Sequence, residues 1–158
     1  MSAILRQGAA EDAGLLASLH ACCFDDAWDE RAFRQFLAGA AFAFVAKTAA
    51  ATELQGFILV QMAADESEIL SIGTHPSARR CGLARALLTA AGKEAAQRDA
   101  ARIFLEVAED NVAALSLYRQ SGFEVVGKRH GYYLRGGRPA DALMLRANLP
   151  LRGRGNAA

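Results

Sequence analysis

Glu106 and Tyr118 are the two side chains whose types and positions best suit acid–base chemistry. Glu106 comes late in the apolar segment 102–107, where limited solvation suits a carboxylate that acts as a general base near neutral pH. Tyr118 follows Asn111 by seven residues, so both side chains face the same side of a helix. A phenol in that position can donate a proton to a departing anion. The competing interpretations are a structural ion pair for Glu106 and an ordinary core position for Tyr118.

A second group of residues predicts a site for an anion. The apolar segment 68–74 is followed by a glycine turn that begins a helix with a regular apolar stripe. The first amides of a helix have no intrahelical acceptor, and the missing Cβ of Gly82 lets a ligand approach the backbone. Three cations flank this turn, namely Arg79, Arg80 and Arg85. Amide donors and cations together predict a phosphate or pyrophosphate site, the alternative being arginines that are simply solvated.

The elements that would position these residues follow the order of an α+β domain. The predicted strands are residues 3–7, 41–47, 55–62, 68–74, 102–107, 123–127 and 141–146. Two helices lie between the first two strands, a third begins at the glycine turn and reaches Gln97, and a fourth is capped by Asn111. A strand–helix–strand crossover makes 68–74 and 102–107 a parallel pair, and ligands enter at the carboxyl ends of such strands. Residues 130–139 are predicted to form a loop.

Composition limits the class of protein. The 158 residues fit one domain, predicted over 1–149, with a disordered tail over 150–158. Hydrophobic content of 53% without a long apolar run predicts a soluble chain that does not bind membranes, and the start of the chain lacks a secretory signal, which favours the cytoplasm. A net charge of +1 gives no general attraction to nucleic acid. The isolated histidines and cysteines have no metal-binding spacing, so no metal is expected.

Residues 79–84, Arg-Arg-Cys-Gly-Leu-Ala, resemble the Q/R-x-x-G-x-G/A signature with which the GNAT acyltransferase superfamily holds the pyrophosphate of acetyl-CoA. The order of elements over residues 3–149 is similar to that of the superfamily. Further residues narrow the resemblance to the bacterial ribosomal-protein-alanine N-acetyltransferases, the RimI type. They are Trp28, the segment 105–107, Asn111, the segments 113–118 and 121–123, Tyr132 and Tyr133.

The resemblance implies a fold and a set of roles. The fold is a central mixed, mostly antiparallel sheet of about seven strands flanked by about four helices. Glu106 matches the proton acceptor of the family and Tyr118 its proton donor, while Trp28, Tyr132 and Tyr133 shape the slot for the acceptor. The residues implied to bind acetyl-CoA are Ile72, Gly73 and Thr74 at the pantetheine arm, Arg79, Arg80, Cys81, Gly82, Leu83, Ala84 and Arg85 at the pyrophosphate, and Asn111.

Three functions remain open at this point. The first is transfer of an acetyl group to the N-terminal α-amine, on alanine, of a protein such as a ribosomal protein. A peptide α-amine titrates near 7.7–8.0 and a lysine near 10.4, so a carboxylate base deprotonates the α-amine more easily. Acidic residues that could attract a basic N-terminal segment are Asp25, Asp26, Glu109 and Asp110. The second function acetylates a small amine or amino acid, and the third is a non-catalytic acyl-CoA-binding or partner-binding module.

Overall fold

A single seven-stranded sheet forms the centre of the molecule. The computed structural model describes residues 2–135 and 138–152, and the side chains of residues 133–138 lie outside that description. The strands are β1 (Ala3–Gln7), β2 (Ala41–Thr48), β3 (Gly56–Ala63), β4 (Glu66–Thr74), β5 (Arg102–Ala108), β6 (Glu124–Arg135) and β7 (Arg138–Asn148). The α-helices among the described residues are α1 (Ala13–Cys23), α2 (Glu30–Ala38), α3 (Leu83–Gln97) and α4 (Val112–Gln120).

The topology confirms the predicted α+β class. The strand order is β1-β2-β3-β4-β5-β7-β6, and every neighbouring pair is antiparallel except β4 with β5. The prediction of a loop over residues 130–139 is wrong for most of that segment, because β6 and β7 continue as a hairpin. Backbone pairing with a neighbouring strand stabilises this hairpin, and a single segment read by its own propensity does not reveal such pairing. None of the helices in the described residues is long and apolar enough to cross a membrane.

The parallel strands β4 and β5 separate along their length. They pair over three residues, from Glu66 with Arg102 to Glu68 with Phe104. Strand β3 follows β4 as far as Thr74, with a register shift that leaves Leu70 as an extra residue on β4. A bulge of this kind bends the strand that carries it. Beyond Glu68, no residue in the described part of β5 pairs with β4, so the sheet is open between the carboxyl ends of these two strands.

Two apolar cores hold the sheet. The main core lies between the sheet and helices α3 and α4, where the predicted stripe residues Leu87, Leu88, Ala91 and Ala95 of α3 are fully buried. The second core lies between the sheet and helices α1 and α2, with Phe33 and Phe57 at its centre. Burying large apolar side chains contributes roughly 1.5–3 kcal/mol each, so both helix pairs are fixed to the strands that carry the predicted site.

Part of the predicted disordered tail is packed against the main core. Leu151 lies so close to Gly92 of α3 that a Cβ there would be 2.6 Å from the Leu151 Cδ1 atom. Gly92 therefore provides the groove in which the segment after β7 lies. The two residues are far apart in the chain, so no local sequence pattern predicts their contact. Residues 153–158 lie outside the described residues, and the disorder expected for them stays a prediction.

Candidate active site

The turn before α3 has the backbone geometry that an anion site needs. Gly82 is the N-cap residue of α3 with φ 78° and ψ 8°, and Arg80 is also left-handed with φ 64°. A Cβ at Gly82 would meet no atom within 4 Å, so the space above this residue is open. The side chain of Leu83 is buried, which leaves its amide as the group that can face a ligand. Exposed Arg79 and Arg80 complete a site that fits a pyrophosphate.

Replacing Gly82 by Ala is expected to destabilise the protein by about 1 kcal/mol, because the left-handed conformation disfavours any residue with a Cβ. The added methyl group meets no neighbour, so backbone strain is the whole effect. Urea denaturation measures the free energy of unfolding. The control is Gly14→Ala in α1, where the Cβ makes ordinary contact with Glu30 at 3.5 Å. The free energy of unfolding of this variant is expected to rise by about 0.5–1 kcal/mol. Equal changes in the free energy of unfolding of the two variants would contradict the requirement for glycine in the left-handed conformation at position 82.

Helices α3 and α4 are joined by side-chain hydrogen bonds. The Arg85 guanidinium donates to the Gln120 side chain at 2.5 Å, and Gln120 in turn donates to Ser116 at 3.2 Å. Asn111 caps α4 as predicted, since its Oδ1 accepts from the Ala114 amide at 3.2 Å. The Nδ2 group of Asn111 is a further hydrogen-bond donor on the same side chain. The cofactor contacts assigned to Arg85 and Asn111 stay predictions.

The end of β4 is packed tightly on its α1 side. A Cβ at Gly73 would lie 2.8 Å from Phe57 and 3.0 Å from the Cys23 sulfur, so only glycine fits there. Neighbouring Ile72 and Thr74 pair with β3 on one edge, and the opposite edge faces the opening toward β5. An extended ligand could add to this free edge as a further strand would. The prediction that residues 72–74 contact the pantetheine arm is consistent with this geometry.

Cys81 is half-buried in the turn before α3, and its sulfur lies 3.7 Å from the Arg79 carbonyl oxygen. Its side chain packs against the main core, and Ala84 follows it in the first turn of the helix. The contacts with the pyrophosphate that were assigned to Cys81 and Ala84 stay predictions.

Glu106 lies on the face of β5 that helices α3 and α4 do not cover. Its neighbours Leu105 and Val107 point into the main core, whereas the Glu106 side chain is 21% exposed. The Arg129 guanidinium contacts the Glu106 Oε1 atom at 3.2 Å. The ion pair considered as an alternative for Glu106 is therefore present, although it engages one carboxylate oxygen. The role of Glu106 as general base stays a prediction.

Tyr118 is buried in the main core, with 5% of its surface exposed. Its ring meets the Phe123 ring edge to face at 5.6 Å. Burial raises the pKa of the Tyr118 phenol to about 12, so the hydroxyl keeps its proton at neutral pH. A protonated phenol is the form that can act as an acid. Tyr118 and Glu106 lie on opposite faces of the sheet. The role of Tyr118 as proton donor stays a prediction.

Trp28 belongs to an aromatic cluster formed by residues of α1, α2 and β3. Its ring stacks on His20 with centroids 4.9 Å apart and lies 5.3 Å from the Phe36 ring. The Trp28 amide donates to the His20 Nδ1 atom at 3.1 Å. Trp28 is thus held rigidly as a half-buried wall, and its contact with an acceptor stays a prediction. His20 was not among the predicted site residues, although it lies four residues after Leu16 on the buried face of α1.

Lowering the pH is expected to destabilise the protein through His20. Burial holds the pKa of the imidazole below its ordinary value of 6.5, and the Asp26 carboxylate opposes this effect. As the pH falls below 6.5, the unfolded chain therefore takes up a proton at His20 before the folded chain does. The free energy of unfolding should decrease until the pKa of the folded state is reached.

The measurement is urea denaturation of the wild type and His20→Asn between about pH 7.5 and pH 5. Asparagine retains an acceptor for the Trp28 amide but does not titrate, so the stability difference between the two proteins should change with pH. Parallel stability curves would contradict the assignment of this pH dependence to His20.

The hairpin of β6 and β7 carries Tyr132 and Tyr133, two of the three residues predicted to shape the acceptor slot. Tyr132 is 54% exposed, and its ring lies 5.3 Å from the Arg129 guanidinium carbon. The side chain of Tyr133 lies outside the described residues. Glu109, which was expected to attract a basic segment of the acceptor, is already paired with Lys128 at 3.1 Å. Arg129 was not predicted as a site residue, because its contacts with Glu106 and Tyr132 depend on the irregular pairing of this hairpin.

Within residues 2–135 and 138–152, no group of three or more His, Cys, Asp or Glu side chains is placed to hold a metal ion.

The fold is that of an acetyltransferase family. The family model described as the acetyltransferase (GNAT) family matches residues 14–123. The chain therefore belongs to the GNAT acetyltransferase family. Enzymes of this family use acetyl-CoA, so the predicted family, enzyme class and cofactor are confirmed at the level of the family.

Two curated relatives make the comparison more specific. The [ribosomal protein bS18]-alanine N-acetyltransferase of Escherichia coli K12 is 36% identical over 81 residues, which are 51% of this chain and 55% of that enzyme. The matched part thus spans about half the length of the Escherichia coli enzyme. The N-alpha-acetyltransferase RimI of Mycobacterium tuberculosis is 37% identical over 144 residues, which cover 85% of each chain.

Solved structures show the same fold. The crystal structure of the ribosomal-protein-S18-alanine N-acetyltransferase from Escherichia coli has a TM-score of 0.86 at 24% identity and covers 98% of both chains. Arabidopsis thaliana NAA60 in complex with acetyl-CoA has a TM-score of 0.80 at 21% identity, covering 94% of this chain and 99% of that one. The predicted GNAT fold is confirmed by these neighbours.

Proposed function

We propose that this protein transfers the acetyl group of acetyl-CoA to the N-terminal α-amine, on alanine, of a protein acceptor. The observation that carries the proposal is the opening between the ends of β4 and β5, because β4 leads to the predicted anion site before α3 and β5 carries Glu106. The names of the relatives in Escherichia coli and Mycobacterium tuberculosis support an α-amine as acceptor, and the former supports a ribosomal protein.

The cofactor is bound by backbone and cationic groups of this chain. The first amides of α3, with Arg79 and Arg80, hold the pyrophosphate, and the free edge of β4 orients the pantetheine arm by strand-like hydrogen bonds. Backbone amides at the end of β4 polarise the acetyl carbonyl. When bound, acetyl-CoA supplies an acetyl group that is activated as a thioester. The tight packing at Gly73 keeps this edge in one position.

Glu106 and Tyr118 move the two protons that direct transfer requires. The Glu106 carboxylate accepts a proton from the α-ammonium of the acceptor, directly or through a water, which leaves a free amine as nucleophile. Tyr118 donates its phenolic proton to the departing thiolate, a task for which its pKa of about 12 keeps it protonated. The α-amine titrates near 7.7–8.0, about 2.5 units below lysine, so this base favours α-amines over side-chain amines.

The proposal is tested by a screen of acceptors with acetyl-CoA. Peptides varied at their first two residues, including one that begins Ala-Arg, are compared with the same peptides blocked at the α-amine and with free amino acids and small amines. Turnover is expected for the peptides with a free α-amine and an N-terminal alanine. Turnover of free amines without turnover of any peptide would instead identify a small-molecule acetyltransferase, and cofactor binding without turnover of any acceptor would identify a binding module.

A further inference from the structure

Arg129 connects the predicted base to the exposed hairpin of β6 and β7. Its guanidinium contacts the Glu106 Oε1 atom at 3.2 Å and lies over the Tyr132 ring at 5.3 Å. Arg129 is aligned with Ala142 of β7, which in turn is aligned with Ala108 of β5. Ala108 and Glu106 lie two residues apart on β5, so Arg129 and Glu106 are on the same face of the sheet.

The contact between Arg129 and Tyr132 depends on an irregularity in β6. Three residues of β6 separate Arg129 from Tyr133, whereas only Asp141 separates their partners on β7. Residues three apart on a regular strand point to opposite faces, so this bulge is what returns Tyr132 to the side of Arg129. Gly131 has φ 64° at this point, and its amide donates to the Asp141 carboxylate at 2.7 Å.

Stability does not explain this arrangement. The Arg129 side chain is 52% exposed, and ion pairs at such positions contribute about 0–1 kcal/mol to folding. Tyr132 is 54% exposed and lies outside both apolar cores. Their interaction instead restricts one oxygen of a carboxylate beside the opening in the sheet, and it connects that carboxylate to a ring on the predicted acceptor surface.

We propose that Arg129 is a positioning residue that orients Glu106 for proton transfer and that responds to the acceptor through Tyr132. Arg129 holds Oε1 and leaves Oε2 to receive the proton, so that one N–H bond of the α-ammonium breaks as one O–H bond forms on Glu106. An acceptor peptide that packs on Tyr132 fixes the ring, which in turn fixes the guanidinium. This inference rests on the proposed function, because it explains how Glu106, the general base of that reaction, is oriented.

Steady-state kinetics with an Ala-Arg peptide test the connection by a double-mutant cycle. The variants are Arg129→Gln, Tyr132→Ala and the double variant. The matched control is Arg146→Gln, which removes an arginine on the same face that pairs with Glu124 at 3.5 Å. Arg129→Gln is expected to lower kcat by about tenfold or more, because misplaced catalytic groups reduce the rate strongly. KM for acetyl-CoA and the melting temperature should stay near the wild-type values, and Arg146→Gln should retain wild-type kcat.

The double variant decides whether the residues act through one another. If Tyr132 acts through Arg129, Tyr132→Ala lowers kcat in the wild-type background but has little further effect when Arg129 is already replaced. Wild-type kcat in Arg129→Gln, or a loss in the double variant equal to the product of the single losses, would overturn the inference while leaving the proposed function intact. Failure of the wild-type enzyme to acetylate the peptide would instead refute the proposed function.

Discussion

Replacing Glu106 by Gln is expected to lower kcat for a peptide α-amine by about 10²-fold or more at pH 7, because the variant lacks the base that removes the proton from the acceptor. The loss should shrink above about pH 8, where the α-amine loses its proton to water without help from the protein. The measurement is kcat as a function of pH for the wild type and the variant. The profile distinguishes a lost base from a general loss of structure, which would lower kcat equally at every pH.

The control for this prediction is Glu94→Gln in α3. Glu94 is paired with Arg98 at 2.8 Å on the same helix, away from the opening between β4 and β5. This substitution makes the same chemical change and should leave kcat unaltered. Equal activity of the Glu106 variant and the wild type at neutral pH would show that Glu106 is only the ion-pair partner of Arg129.

Replacing Tyr118 by Phe is expected to lower kcat by about 10²-fold, the lower end of the range for acid–base groups. A thiol titrates near 8.5, so a thiolate departs moderately well even without a proton donor. The loss at Tyr118 should therefore be smaller for thioesters of more acidic thiols, a dependence that kcat measured across such thioesters would reveal.

The phenylalanine variant separates the acid role of Tyr118 from its packing. Phe retains the ring that meets Phe123 at 5.6 Å, so the hydrophobic contacts of α4 should be preserved. The melting temperature should consequently change little while kcat falls. An unchanged kcat in a stable variant would make Tyr118 an ordinary core tyrosine, which is the alternative that its burial also allows.

The elements could be predicted where local patterns determine them. The apolar stripe of α3 predicted its end at Gln97, and Asn111 was recognisable as a cap by its residue type. The parallel pairing of β4 and β5 followed from the length of the crossover between them. These features depend on residues close together in the chain, so a single sequence is enough to identify them.

The contacts that organise the site depend on residues far apart in the chain. The Leu70 bulge separates β4 from β5, and the Gly131 bulge brings Tyr132 to Arg129. Neither bulge can be recognised from the pattern of apolar and polar residues in the sequence. The contact of Leu151 with Gly92 likewise depends on the direction in which the chain leaves β7, which the sequence around Leu151 does not indicate. Glu106 could be named from its strand, whereas its partner Arg129 could not.

The most direct test of the central claim is to locate the acetyl group on one acceptor peptide that carries both kinds of amine. The peptide begins Ala-Arg with a free α-amine and contains a lysine further along, and tandem mass spectrometry after incubation with acetyl-CoA identifies the modified amine. We predict acetylation of the α-amine by the wild type and a strongly reduced rate with Glu106→Gln. Acetylation of the lysine alone, or an equal rate in the variant, would contradict the assignment of Glu106 as the base of an N-terminal acetyltransferase.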